Sequence, residues 1–332
     1  MKSTIMAQES RQAPSIIEQQ LRDNNSLCIS LVEQIKNFNP ALVYIVGRGS
    51  SDHAGVFAKY LIEVELGIPV SSSAPSVFSV FKRTLKLNNA LVLIISQSGG
   101  SPDIIEQAKA AKASGAMTVA LVNTPNSPLS DIVDAEIPIG AGEEKAIAAT
   151  KSYMATLSAL LQLVAYWKGD EMLLKGLLNL PAQLTNTING STHLDPSFVS
   201  SLRHCVVLGR GFGYAIGREI ALKLKEVCGV HAEAFSSAEF LHGPVTLVEK
   251  ELAVIDINIK DESHAAHNTI IDDIISRGSK TKNITVDGDG VHPRCLPLIV
   301  LQRFYLDVEQ AALSMGLDPD SPAGLKKVTK TL

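Results

Sequence analysis

Residues 47–78 read GRGSSDHAGVFAKYLIEVELGIPVSSSAPSVF, and residues 209–240 read GRGFGYAIGREIALKLKEVCGVHAEAFSSAEF. The two stretches align without a gap at an offset of 162 residues and share all three residues of the GRG turn. Each follows an apolar run, ALVYIV or CVVLG, that is typical of a buried strand. The chain therefore contains a duplicated strand–turn–helix unit.

The two copies differ on the body of the helix that follows the turn. Apolar Leu61 and Val64 of the first copy correspond to Lys223 and Glu226 of the second. Lys223 and Glu226 are three residues apart and so share a helix face. A surface ion pair would explain them on a generic helix. Because the first copy is apolar at both positions, we instead expect a partly enclosed face on which Glu226 acts as a general base.

Alternating strands and helices define the fold class. From residue 41 onward, short β-branched runs alternate with helical stretches in both halves, preceded by an amphipathic helix or helix pair over 14–37. This order predicts an α/β fold of two doubly wound, flavodoxin-like domains, each a parallel sheet covered by helices on both faces. We expect a helical segment over 1–40, a first domain over 41–190 and a second domain with a C-terminal tail over 191–332. The polar stretch 185–197 is the best linker candidate.

Composition limits the range of partners. The 332 residues are 45% hydrophobic and 19% charged, with a formal net charge of −4. These values argue against disorder and against electrostatic binding to nucleic acid or to an anionic membrane. The absence of a signal-like or membrane-length apolar run predicts a cytoplasmic protein. The four cysteines are scattered without metal-binding spacing, and we expect Cys205 and Cys228 to be buried, reduced thiols.

Residues 91–115, LVLIISQSGGSPDIIEQAKAAKASG, carry the strongest functional pattern. A buried strand is expected to end at Ser96, and Ser101 and Pro102 fit the N-cap and first position of a helix. Backbone N–H groups, the positive helix end and the serine hydroxyls together favour an anion there. An ordinary strand-to-helix turn is the alternative. The second copy has Asn258, Ile259, Lys260 and Asp261 in place of 96–99, so one phosphate site per chain is expected.

The GRG turns resemble dinucleotide fingerprints only in part. Asp52 and Tyr214 stand where the third glycine of that fingerprint belongs, so the pattern predicts no nicotinamide or flavin cofactor. Ser50 and Ser51 are placed either to hydrogen-bond a phosphosugar or simply to cap the helix.

Histidine and lysine residues complete the candidate set. His242, in the loop EFLHGPV, either braces a turn or moves protons near neutral pH. Because HAAH lacks the acidic companion of a metalloprotease motif, no metal is expected, and His264, His267 and His292 are interpreted as surface residues. The terminal SPAGLKKVT contains Lys326 and Lys327, which either are solvated or fold over a neighbouring site.

The motifs GRGSS, SQSGGS, AATKSY, LKLKE, HAEAFSSAEFLHGP and SPAGLKKVT together resemble the double sugar isomerase (SIS) domain proteins over nearly the whole chain. The resemblance is to the isomerase half of glutamine-fructose-6-phosphate amidotransferase and to stand-alone glucosamine-6-phosphate deaminases. It implies a homodimer with shared active sites. The pattern departs from the amidotransferase at SQSGGS, where that family has SQSGET, and at Ala149, where it has serine.

The resemblance also assigns roles to individual residues. Glu226 would move a proton between C2 and C1 with Lys223 beside it, His242 would assist ring opening in the partner's site, and Lys327 would close the sugar end. The substrate would be held by the following residues: Ser50, Ser51, Ser96, Gln97, Ser98, Ser101 and the backbone near Ala148.

The expected reaction is deamination of glucosamine 6-phosphate to fructose 6-phosphate and ammonia. Only a helical segment precedes the first strand near Ala41, so no glutaminase chemistry is expected from this chain. Three alternatives stay open: a fructosamine-6-phosphate deglycase, another ketose/aldose phosphosugar isomerase, and a non-catalytic module that senses a phosphosugar.

Overall fold

The computed structural model describes residues 3–250, 252–286, 288 and 290–327. Nine strands are found there: β1 Leu42–Val46, β2 Val70–Ser72, β3 Ala90–Ser96, β4 Met117–Val122, β5 Ala135–Pro138, β6 His204–Gly209, β7 His231–Ser236, β8 Ala253–Asn258 and β9 Lys280–Thr285. Twelve α-helices are found in the same ranges: α1 Ile5–Asp23, α2 Asn25–Phe38, α3 Ser50–Leu66, α4 Ser76–Ser79, α5 Pro102–Ala113, α6 Lys151–Lys168, α7 Glu171–Ile188, α8 Pro196–Ser200, α9 Phe212–Cys228, α10 Ser237–Phe240, α11 His264–Ser276 and α12 Leu296–Ser314.

The strands form two parallel sheets. The first has the order β2-β1-β3-β4-β5 and the second the order β7-β6-β8-β9. Every pairing within them is parallel. The first order is that of flavodoxin-like doubly wound sheets, whose ligands bind beyond the carboxyl ends of the strands. The predicted α/β fold with two parallel sheets is therefore confirmed.

The duplication extends beyond the quoted stretches. At the offset of 162 residues, the bounds of α3 become those of α9, and the end of β3 at Ser96 becomes the end of β8 at Asn258. Both copies also place a glycine before the helix at positive φ, 54° at Gly49 and 52° at Gly211. The same local geometry has therefore been kept while the side chains diverged.

The chain forms two compact units that are interleaved in sequence. Among the described residues, one comprises those within 15–143 and 151–178, and the other comprises those within 3–14, 144–150 and 179–327. We call them unit A and unit B in that order. The division falls inside α7, upstream of the linker candidate at 185–197. The domain limits at 40/41 and 190/191 stay predictions.

Each unit has its own apolar core. In unit A the strand β3 is buried along its whole length, and α6 packs on α3 and α2. In unit B the strand β8 is equally buried, and α12 packs on α9. Sixteen residues of α6 are buried, which explains why this helix is apolar around most of its circumference.

The structure corrects two expectations about burial. His267 was expected on the surface, but its side chain is buried and its ring nitrogens contact Ser237 Oγ at 2.9 Å and Asp256 Oδ1 at 2.6 Å. Val64 was expected on an enclosed face, but it is 55% exposed, whereas Leu61 is fully buried. The corresponding side chains of the second copy differ in the same direction, since that of Lys223 is 1% exposed and that of Glu226 is 22% exposed.

The cysteines follow the prediction. Cys28, Cys205, Cys228 and Cys295 are all buried and unpaired. Burial raises the pKa of each of these thiols to about 12. Such thiols stay protonated near neutral pH and are poor nucleophiles.

Candidate functional site

The loop 96–101 of unit A has the predicted architecture. Strand β3 ends at Ser96, Ser101 is the extended N-cap residue, and Pro102 is the first residue of α5. The Ser101 hydroxyl makes no capping hydrogen bond. Ser96 is nearly buried, while Gln97, Ser98 and Ser101 are half-buried. Three hydroxyls and the N-terminus of a twelve-residue helix therefore meet at the carboxyl edge of the sheet.

Backbone hydrogen bonds hold this loop in shape. The Gln97 carbonyl accepts from the amides of Asn123 and Thr124, and the Gly99 amide donates to Ser96 Oγ at 3.1 Å. Gly99 has φ 61°, and a Cβ there would lie 2.2 Å from Ser127 Oγ. Only glycine fits this position. Contacts with the neighbouring 123–129 segment thus define the shape of the loop.

A second loop of unit A lies beside the first because β1 and β3 are adjacent in the sheet. It carries Ser50 and Ser51 at the start of α3, where both are half-buried. An ion pair links the two loops: Arg48 Nε and Nη2 donate to Asp103 Oδ2 at 3.0 and 2.9 Å. The hydroxyls expected to bind a phosphosugar in unit A thus sit on two loops that are tied together.

The charged face of α9 in unit B is larger than the sequence comparison indicated. Lys223 Nζ lies 2.6 Å from Glu226 Oε2 and 3.1 Å from Glu219 Oε1. The side chain of Glu219 is 0% exposed and that of Lys223 1%, whereas that of Glu226 is 22% exposed. Of these three charged groups, only Glu226 can reach a molecule outside the protein.

The protonation state of Lys223 follows from its neighbours. Burial alone would lower the pKa of this ammonium, but the Glu219 and Glu226 carboxylates outweigh burial and raise the pKa of Lys223 above its ordinary value. Lys223 therefore stays a cation at neutral pH. It can orient the Glu226 carboxylate, but it cannot serve as a base.

Sequence reasoning missed Glu219, although the signal was present. The residue at the corresponding position of the first copy is Phe57, which is buried and apolar. The same comparison that found Lys223 and Glu226, applied one turn earlier along the helix, identifies Glu219 as a third charged replacement.

The segment 144–150 of unit B, which contains Ala148, is in contact with the C-terminal Lys327. Lys327 Nζ donates to the Ala146 carbonyl at 2.5 Å and lies 3.5 Å from Glu144 Oε2. Glu144 is fully buried, and its other oxygen accepts from the Thr150 amide at 2.9 Å. The prediction that the tail folds over a neighbouring segment is consistent with this contact. Glu144 was not identified from the sequence.

The N-terminal helix fixes the same segment. Both carboxylate oxygens of Glu9 accept from the amides of Lys145 and Ala146, at 2.5 and 3.1 Å. The Ile147 amide donates to the Asp320 carbonyl at 3.1 Å. Because three distant parts of the chain converge here, the backbone around Ala148 is rigidly placed.

His242 is not brought to the other candidate residues of unit B. It lies in the exposed loop between α10 and the 3₁₀ turn Pro244–Lys250. Its imidazole makes no hydrogen bond to another residue within the described ranges. Gly243, which follows it, has φ 128°. The role of His242 stays a prediction.

In the second copy, acidic side chains and their hydrogen bonds occupy the turn that corresponds to the loop 96–101. Asp261 Oδ1 accepts from the amide and the hydroxyl of Ser263, at 2.8 and 2.6 Å. Glu262 Oε1 and Oε2 accept from the buried Arg294, which lowers the pKa of Glu262 to about 2. A carboxylate occupies the turn where the first copy has glycine. These contacts are consistent with one phosphate site per chain.

The described residues contain no group of three or more His, Cys, Asp or Glu side chains arranged to hold a metal ion. Within the same ranges, no helix combines the length and the apolar character that crossing a bilayer requires.

The chain belongs to the SIS domain family. The model of the SIS domain matches it twice, over residues 39–166 and 199–289. These two matches correspond to the two copies identified from the sequence and to the two parallel sheets.

Glutamine–fructose-6-phosphate aminotransferases (isomerizing) are among its relatives. The chain is 31% identical to that of Geobacillus kaustophilus, with 94% of this chain and 55% of the relative aligned. It is 28% identical to that of Clostridium acetobutylicum, with 89% and 52% aligned. The chain thus spans about half the length of the curated relatives it matches.

Solved structures support the same fold. A Silicibacter pomeroyi DSS-3 protein described as a candidate phosphosugar isomerase has a TM-score of 0.87 and 36% identity, covering 96% of this chain and all of that one. The C-terminal domain of the Francisella tularensis glucosamine-fructose-6-phosphate aminotransferase has a TM-score of 0.82 and 25% identity, covering 97% and 99%. A Thermotoga maritima glucosamine-6-phosphate deaminase shares the fold, with a TM-score of 0.77 and 21% identity over 99% and 100%.

Proposed function

We propose that the protein is a phosphosugar isomerase that deaminates glucosamine 6-phosphate to fructose 6-phosphate and ammonia. The observation that carries the proposal is the Glu219–Lys223–Glu226 cluster, in which two buried groups support one accessible carboxylate. The names of the aminotransferase relatives, which include fructose 6-phosphate, support a phosphorylated sugar as the substrate.

The loop 96–101 is proposed to hold the 6-phosphate. Ser96, Ser98 and Ser101 supply hydroxyls, and the start of α5 supplies backbone N–H groups. Together they bind a dianion through charge-assisted hydrogen bonds without a lysine. Gln97, Ser50 and Ser51 are proposed to contact the sugar.

Glu226 is proposed to be the general base. In the open-chain substrate, its carboxylate takes the proton from C2. The electron pair of the broken C–H bond forms the C1=C2 double bond, and the C1 carbonyl oxygen takes up a proton from water to give the enolamine. Protonation at C1 then gives the C2 imine of fructose 6-phosphate. Addition of water to that imine and loss of ammonia complete the reaction. The step requires one base that is ionised and accessible, which fits the 22% exposure of Glu226.

Lys223 is proposed to orient the Glu226 carboxylate, and Glu219 is proposed to balance the charge of Lys223. The Lys223 ammonium fixes one oxygen of Glu226 at 2.6 Å. Glu219 keeps the ammonium charged in a fully buried place. Because Glu219 and Glu226 together outweigh burial, removing Glu219 would lower the pKa of Lys223 and weaken its hold on Glu226.

The remaining candidates are proposed to act outside the proton transfer. Lys327 and the backbone near Ala148 are proposed to close the sugar end of the site, with Glu144 holding the lysine. His242 is proposed to assist ring opening in a partner subunit, which makes the active protein a homodimer.

Two other reactions share the C2–C1 proton transfer. They are the deglycation of fructosamine 6-phosphate and the ketose/aldose isomerisation of other phosphosugars. A non-catalytic sensor would bind the same ligand without needing a buried charge cluster. That cluster is the reason to prefer an enzyme.

The test is a substrate panel. Purified full-length protein is assayed for ammonia release and ketose formation with glucosamine 6-phosphate, galactosamine 6-phosphate, fructosamine 6-phosphate and unphosphorylated glucosamine. We expect ammonia and fructose 6-phosphate from the first compound and almost none from the last. Faster turnover of fructosamine 6-phosphate would assign the deglycase instead, and binding without any turnover would assign the sensor.

A further inference from the structure

The ion pair between Arg48 and Asp103 joins the two loops of unit A that carry the proposed phosphosugar ligands. Both guanidinium contacts, from Nε and Nη2, go to the same oxygen, Asp103 Oδ2. The Asp103 side chain is only 4% exposed, whereas that of Arg48 is 46% exposed. Asp103 is therefore a buried carboxylate, and Arg48 is its ion-pair partner among the described residues.

The position of Asp103 creates an electrostatic conflict. It is the second residue of α5, two residues after Ser101, at the end of the helix that is proposed to face the phosphate. A carboxylate in the first turn stabilises the helix itself. It also repels a dianion bound at the same helix end, and this repulsion acts in a partly buried place where water screens it weakly.

Of the two copies, only the one that has the SQSGGS loop has an aspartate at the position of Asp103. The arginine is present in both GRG turns, as Arg48 and Arg210. The residue that corresponds to Asp103 in the second copy is Ala265, and Arg210 forms no ion pair within the described ranges. The complete pair is thus found only in the copy that has the SQSGGS loop.

We propose that Arg48 is a positioning residue that neutralises Asp103, so that the loop 96–101 can hold a dianionic phosphate. This inference rests on the proposed function of that loop. Asp103 in turn fixes the guanidinium between the two loops. The affinity for an anion then depends on Arg48 more strongly when the anion carries two charges than when it carries one.

Anion binding by the full-length protein at one fixed, near-neutral pH tests the proposal. Calorimetry would use three probes: inorganic phosphate, sulfate as a dianion and methanesulfonate as a monoanion of similar shape. We expect Arg48→Met to weaken sulfate and phosphate binding about tenfold, which corresponds to ~1.4 kcal/mol. Methanesulfonate binding should weaken clearly less. Arg48→Lys, which keeps the charge, should stay within about threefold of the wild type.

Second variants separate charge from shape. Arg48→Met combined with Asp103→Asn removes both charges and should recover most of the lost sulfate affinity. Asp103→Asn alone should bind sulfate at least as tightly as the wild type, and it carries the test if Arg48→Met does not fold. Arg210→Met, the matched change in the second copy, should leave anion binding unchanged.

The outcomes distinguish this inference from the proposed function. The wild type is expected to bind sulfate and phosphate, and Ser98→Ala is expected to weaken that binding. If both results are found but Arg48→Met binds the two anions as well as the wild type, the proposed role of Arg48 is wrong and the assignment of the phosphate loop stands. Weaker sulfate binding by Asp103→Asn would also overturn the role. If the wild type binds neither dianion, or Ser98→Ala has no effect on binding, the phosphate loop and this inference fall together.

Discussion

Replacing Lys223 by methionine should destabilise the protein because it removes the ammonium that lies against the buried Glu219 carboxylate. Glu219 is 0% exposed, and Lys223 Nζ lies 3.1 Å from its carboxylate. Breaking a buried ion pair by removing one partner typically costs about 3–5 kcal/mol. Glu226 adds little to this cost because it is 22% exposed and water can solvate it. We therefore expect a loss of about 3–5 kcal/mol of unfolding free energy.

The loss should depend on pH in a defined direction. Loss of an adjacent ammonium raises the pKa of a buried carboxylate. The folded variant then binds a proton more readily than the unfolded chain, so its unfolding free energy falls as the pH rises. The deficit relative to the wild type should be smaller near pH 5 than near pH 8. In the wild type, Lys223 has a raised pKa, so its contribution is lost only at alkaline pH.

Urea unfolding at several pH values measures both effects. The compensated control replaces Glu219 and Lys223 together by methionine, which removes both buried charges while keeping unbranched side chains. This double variant should regain most of the lost stability, since the first copy is apolar at both positions, with Phe57 and Leu61. A cost below about 1 kcal/mol for the single variant, without a pH trend, would refute the reasoning. So would a double variant as unstable as the single one.

Three further predictions concern the loop, a buried hydrogen-bond chain and the assembly. Ser98→Ala should weaken binding of the phosphosugar by about 1–3 kcal/mol, which steady-state kinetics would show as a higher KM with little change in kcat. An unchanged KM would contradict the phosphate assignment. His267→Ala should lower the unfolding free energy by about 1–3 kcal/mol because the buried Asp256 loses its 2.6 Å contact with His267 and keeps only the hydrogen bond from Asn283 among its described side-chain contacts, whereas His264→Ala, half-buried on the same helix, should cost less than about 1 kcal/mol in the same urea experiment. Mixing Glu226→Gln and His242→Ala proteins should restore about a quarter of the wild-type rate if each site uses two chains, and verified subunit exchange without recovered activity would place both residues in one chain.

Local sequence patterns predicted the elements that depend on local rules. The apolar run before Ser96, the N-cap at Ser101 and the proline after it follow from strand burial and helix-start chemistry. The duplication added the equivalence of α3 and α9, and with it the charged positions Lys223 and Glu226. The same comparison, extended to Phe57, would also have identified Glu219.

Contacts between distant parts of the chain could not be read from the sequence. Arg48 and Asp103 are 55 residues apart and meet because β1 and β3 are neighbours in the sheet. His267 was interpreted as a surface residue because its motif has no acidic companion nearby in sequence. Its partner Asp256 lies on β8, whose pairing with the other strands only the folded sheet reveals.

The central claim is that the Glu226 carboxylate moves the C2 hydrogen of a 6-phosphorylated amino sugar. The most direct measurement uses glucosamine 6-phosphate deuterated at C2 and follows the label by NMR with the wild type and with Glu226→Gln. The account predicts that the wild type removes deuterium from C2, either to C1 of fructose 6-phosphate or to water. It predicts that Glu226→Gln binds the substrate but removes the label from C2 several orders of magnitude more slowly than the wild type. Removal of the label by Glu226→Gln at a rate near that of the wild type would contradict the account.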